Sequence, residues 1–103
     1  MKIYLSPIRG EEKLALKVLG DTLVANGQAL DFADIAEAAP HPARAFGCPW
    51  LTGEVRRVAG EIHVTVILPH GANAPDETLF PQPIEASDGV VTLPPYDQPD
   101  PLS

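Results

Sequence analysis

The sequence predicts a mainly β fold: an antiparallel meander of hairpins, with packing into a small sandwich left open, at most one short helix, and a proline-rich C-terminal tail. Three observations lead there. Short apolar runs alternate with polar residues at period two, as side chains do along a strand. Turn signals recur at close spacing, at Gly20-Asp21, Asn26-Gly27, Ala59-Gly60 and Asp88-Gly89. The 12 prolines among 103 residues, roughly twice the usual share of about 5%, break the chain too often for long helices.

Taken in order, Lys2 to Ser6 puts Ile3 and Leu5 on one side and Lys2, Tyr4 and Ser6 on the other, a first strand stopped at Pro7. Leu14, Leu16 and Val18 share a face of the next run. Two-residue loops at Gly20-Asp21 and Asn26-Gly27 would then oppose Val18 with Leu23, and Leu23 with Leu30. This gives one apolar row across three strands, extended by Phe32. Asp31 to Ala39, alanine-rich and closed by Pro40, is the one helix candidate, at most two turns long. His41 to Pro49 reads as loop, with Phe46 and Trp50 as anchors into the core.

The best strand-turn-strand is Glu54 to Gly71. A two-residue loop at Ala59-Gly60 pairs Arg57 with Ile62, Arg56 with His63, Val55 with Val64 and Glu54 with Thr65. Val55, Ile62, Val64 and Val66 are then buried, and Glu54, Arg56, His63 and Thr65 face water. Pro69 ends the second strand or places it at an edge. Gly71 to Gln82 is an extended excursion with Leu79-Phe80 as its plug, and Ile84–Ser87 with Val90–Leu93 forms a last hairpin. The organisation is thus one domain over 1–93 and a tail over 94–103 that is polyproline-like or disordered.

Charge and composition narrow the function classes. A formal net charge of −7 opposes binding to nucleic acid or an anionic membrane, where Lys and Arg must neutralise phosphates. No run approaches the roughly 20 apolar residues of a membrane span or forms a leader segment. A single cysteine, Cys48, fits a reducing compartment. The default expectation is a soluble, cytoplasmic protein.

Catalytic constellations are sparse. Cys48, His41, His63 and His70 lack the short ligand spacings of structural zinc sites. The acidic pairs Asp31/Asp34 and Asp76/Glu77 read as solvated surface. The glycines sit singly at turns and match no phosphate-cradling loop. Pro94-Pro95-Tyr96 lacks the spacing of a proline-rich ligand motif. The expectation is therefore no enzyme, no metal and no cofactor.

Four phrases, N-G-Q-A-L-D-F at Asn26 to Phe32, W-L-T-G-E-V at Trp50 to Val55, V-I-L-P-H-G-A-N-A-P at Val66 to Pro75 and F-P-Q-P-I at Phe80 to Ile84, resemble small proteins of tailed phages and prophages encoded near tail-fibre and tail-assembly genes. The group has no established activity. The resemblance implies a structural or assembly-accessory protein, in the cytoplasm of a bacterial host cell or associated with the virion, that works by protein–protein contacts or self-association. The expected contact residues are Val66, Ile67, Leu68, Pro69 and His70, where a strand edge meets the excursion, with Trp50 and Phe80. The alternative is a small ligand-binding β-domain with an apolar pocket near Trp50 and Phe80.

Overall fold

The computed structural model describes residues 1–97. Its strands are β1 (Lys2–Arg9), β2 (Leu16–Leu19), β3 (Thr22–Ala25), β4 (Gln28–Asp31), β5 (His41–Pro42), β6 (Leu51–Val58), β7 (Glu61–His70), β8 (Ile84–Glu85) and β9 (Gly89–Val91). A 3-10 turn at Ala43–Phe46 and a four-residue helical turn α1 (Asp76–Leu79) complete it. The chain is mainly β, as its periodicity predicts. Five strands form one sheet in the order β5-β6-β7-β1-β8, and four form the other in the order β4-β3-β2-β9.

The apolar row of the meander is where the sequence places it: Val18 opposes Leu23, and Leu23 opposes Leu30. Asn26 and Gly27 both take positive φ, +47° and +85°, the twist a two-residue hairpin loop needs. Ile3, Val55, Ile62, Val64 and Val66 of the first sheet and Val18, Leu23, Ala25, Leu30 and Val91 of the second form one buried cluster, with Phe32 and Ile35 within it. Each large aliphatic side chain buried there is worth about 1.5–3 kcal/mol, so this shared interior holds the sheets together. Phe46 meets Phe32 edge-on, ring centroids 5.1 Å apart, while Trp50 packs half-buried at the margin.

Both long strands run through a proline for a common reason. Ile67 donates its N–H to the Trp50 carbonyl on the β6 side. Backbone groups alternate sides along a strand, so the nitrogen of Pro69 faces that same side, beyond the last β6 partner. In β1, Met1 exchanges hydrogen bonds with Ala86, which sets its odd-numbered residues toward β8. Because β8 pairs only Lys2 and Ile3, the nitrogen of Pro7 also faces an open edge. A missing N–H costs nothing there, so β1 does not stop at Pro7 but pairs parallel with β7 from Lys2↔His63 to Arg9↔His70.

Four local expectations are corrected. Asp31–Ala39 is not a helix: Asp31 ends β4, its Oδ1 accepts the Ala33 N–H at 2.9 Å, and buried Phe32 and Ile35 pull the segment onto the core. The Glu54-to-Gly71 hairpin keeps Arg57↔Ile62 and Arg56↔His63, but then bulges. Thr52, not Glu54, opposes Thr65, because Gly53 at φ +69° adds residues to β6, and His41 and Pro42 of β5 pair with Val55 and Glu54. The last hairpin does not form, since β8 joins β1 and β9 joins β2 in different sheets. Asp88 Oδ1 fixes the crossing by accepting the Gly20 N–H at 2.7 Å. Phe80 is no plug: it is 77% exposed, and Thr78 is the buried residue of its segment.

Candidate functional site

The residues expected at an interface separate into two groups. Val66, Leu68 and Pro69 are buried, Val66 within the shared core, so little of their surface is open to a partner. Ile67, His70 and Trp50 are half-buried, and Phe80 stands out in solvent. The His70 ring is taken up locally, its Nδ1 lying 2.9 Å from the Gly71 carbonyl. Past Ile67 the β6 side of β7 is an open edge, but Pro69 offers it no donor, so strand addition there has little to hold.

Phe80 sits on the rim of a groove walled by Pro83, Ile84, Leu93, Pro94 and Pro95, with Glu77 at its edge. Trp50 does not line it. The groove is held from both sides of the sequence. The buried Thr78 hydroxyl donates to the Pro95 carbonyl at 2.5 Å, Gly71 donates to the Tyr96 carbonyl at 2.9 Å, and the Tyr96 hydroxyl donates to the Gly10 carbonyl. Asp97 Oδ1 accepts the Asn73 N–H at 3.0 Å. The start of the proline-rich tail is thus strapped against the excursion; the rest of the tail, 98–103, lies outside the described residues.

A second concavity lies on the outer face of the five-stranded sheet, lined by Tyr4, Glu54, Arg56, His63 and Thr65. Three adjacent strands converge there. Parallel pairing sets Tyr4 beside Thr65, and the hairpin sets Arg56 beside His63. The Tyr4 hydroxyl lies 3.3 Å from His63 Nδ1, and His63 Nε2 lies 3.5 Å from Glu61 Oε1. The Glu61 carboxyl is held below its ordinary value first by a hydrogen bond with Glu85; desolvation opposes this, and the Met1 ammonium and His63 nearby add smaller lowering contributions.

No family model, curated protein or solved structure matches the chain. Function must therefore be read from these surfaces. Among the described residues no group of three His, Cys, Asp or Glu side chains is placed to hold a metal ion. Cys48 is buried and meets none of the three histidines in a hydrogen bond or ion pair.

The outer-face row Glu54, Arg56, His63 and Thr65 was recognisable from the alternation of the hairpin, but Tyr4 was not. It arrives through a parallel pairing with a strand 59 residues away, for which a short strand leaves no local signal. The Phe80 groove was partly visible as a cluster of prolines around one aromatic; that its aromatic faces out rather than in depends on Thr78 taking the buried position.

Proposed function

We propose that the chain is a non-catalytic binding domain that acts in assembly, of the kind made by tailed phages, and that its contact surface is the proline-walled groove at Phe80. The observation that carries this reading is the exposure of Phe80, 77%, on a segment tied down by Thr78 and Tyr96. A large aromatic left in water on a fixed support costs solubility and favours contact with a partner, and aromatic anchors of this kind dominate binding energy. Proline walls add rigidity, so little conformational freedom is lost on docking.

The partner's character follows from charge. Glu77 edges the groove, Asp76 precedes it in the same exposed turn, and the chain carries a net charge of −7. A second copy would bring like charge to like charge. An apolar segment flanked by Lys or Arg on another protein complements both the groove and its rim.

A bait experiment tests this. Wild-type chain should retain, from a phage-producing lysate, a protein that carries a basic apolar segment, and should release it as salt rises. The Phe80→Asp variant, equally folded, should not retain it. Equal retention by both forms, or retention indifferent to salt, would remove the proposal. A tail-assembly gene beside this one favours the reading, and a metabolic operon counts against it.

A further inference from the structure

We propose that the recess on the outer face of the five-stranded sheet binds a small zwitterion, an amino-acid-sized molecule with a carboxylate at one end and an ammonium at the other. The proposal is independent of the Phe80 groove and rests on how five side chains divide their hydrogen-bonding capacity.

The ion pairs among the described residues are Met1–Glu61, Lys2–Glu85 and Arg57–Asp21, joined by His63–Glu61 only when the imidazole is protonated. Glu54 and Arg56 are in none of them. The two stand two residues apart in β6, both exposed and both lining the recess, while Val55 between them points into the core. Opposite charges so near would ordinarily close on one another. Here the bulge at Gly53 to Val55 re-aims the strand between them, and the recess keeps one charge of each sign without a partner.

The remaining wall is set by the Tyr4–His63–Glu61 chain. In the neutral imidazole the Glu61 carboxylate beside Nε2 favours the proton on that nitrogen, which leaves Nδ1 to accept the Tyr4 O–H. The phenol proton is thereby spent, and what Tyr4 still offers is oxygen lone pairs, an acceptor. Donors toward a ligand come from the Arg56 fork and the Thr65 hydroxyl; acceptors come from Glu54, Tyr4 and the same hydroxyl. A simple anion would meet Glu54 unshielded, and a simple cation would meet Arg56. A molecule carrying both charges satisfies the two walls together, with its carboxylate on Arg56 in the bidentate geometry guanidinium favours. The recess is an open concavity of about 280 Å3, below the span of drug-sized sites at roughly 300–1,000 Å3, which suits a ligand of amino-acid size.

Amide NMR titration of the full chain tests the proposal, with glycine and γ-aminobutyrate as zwitterions and acetate and methylammonium as their halves. At least one zwitterion should move the amides around Arg56 and His63 saturably, with an affinity about tenfold or more above either half-ligand. Glu54→Gln and Arg56→Gln should each weaken that binding by about tenfold or more while leaving the spectrum of the core unchanged. Absence of saturable shifts with both zwitterions up to roughly 50 mM would overturn the site. So would acetate binding as tightly as the zwitterions, or binding indifferent to either substitution.

Discussion

Arg57 of the first sheet reaches Asp21, in the β2–β3 turn of the second, with Nη2 and Oδ2 3.0 Å apart. The same guanidinium donates to the carbonyls of Ile35 at 2.8 Å, Phe32 at 3.2 Å and Gly60 at 3.1 Å. One side chain thus clamps both sheets and the segment between them. Replacing it with methionine keeps the stem but removes the side-chain donors of the Ile35 and Phe32 carbonyls, the latter keeping only the Ile35 N–H. Arg57→Met should cost about 2–4 kcal/mol in urea denaturation. Asp21→Asn, at a carboxylate 44% exposed, should cost about 1 kcal/mol or less. Equal losses would mean that the ion pair, and not the carbonyl bonds, does the clamping.

The Ala59-Gly60 turn has a residue that does not suit it. Ala59 sits at φ +51°, where a β-carbon is crowded and asparagine is at ease. Ala59→Asn should stabilise by about 1 kcal/mol, read as a rise in Tm. The turn survives in the native chain with help from outside: the Glu37 carboxylate accepts the N–H groups of Ala59 and of Gly60, the latter at 3.0 Å. Glu37→Ala should lower stability by about 1–2 kcal/mol, and should cost less in an Ala59→Asn background.

Much of this architecture is written locally and the rest is not. The meander register follows from two loop signals and an alternation, so Val18, Leu23 and Leu30 find each other without help from the rest of the chain. The segment after Asp31 looks helical because alanines favour helix, yet Glu37 is called to the distant turn and Arg57 claims the Phe32 and Ile35 carbonyls. Tertiary hydrogen bonds outweigh propensity there. Prolines are misleading for a related reason: whether Pro7 or Pro69 stops a strand depends on which side its nitrogen faces, and that is known only once the neighbouring strands are placed. Of the candidate surfaces, the polar face was legible on β6 and β7, whereas Tyr4 and the outward turn of Phe80 depend on contacts between remote segments.

Acid should weaken the join between β1, β7 and β8. The Glu61 carboxyl has a folded pKa below its ordinary 4.5, so folding is favoured by its charged form. That contribution is fully present above the ordinary value and is lost as pH falls through it toward the folded one. Thermal unfolding followed from roughly pH 6 to pH 3 should show a steeper fall for wild type than for Glu61→Gln. Parallel curves would show that Glu61 has no net preference for its charged form in the fold.

The support beneath Phe80 can be separated from Phe80 itself. Phe80 contributes little to folding because most of its surface stays in water, and Phe80→Ala should alter stability by no more than about 0.5 kcal/mol. Thr78 is the opposite case. Its hydroxyl is fully buried and donates to the Pro95 carbonyl, so Thr78→Val keeps the shape of the side chain and removes only the tie. Because Pro95 is exposed, the lost bond should cost about 0.5–1.5 kcal/mol. The loss should concentrate in hydrogen exchange at Gly71, whose N–H is held by the Tyr96 carbonyl of the same strap, while the amides of β2 and β3 remain protected. If the groove works as a rigid platform, Thr78→Val should weaken partner binding although it touches no partner. Unchanged binding, with the strap loosened, would mean that Phe80 alone carries the contact.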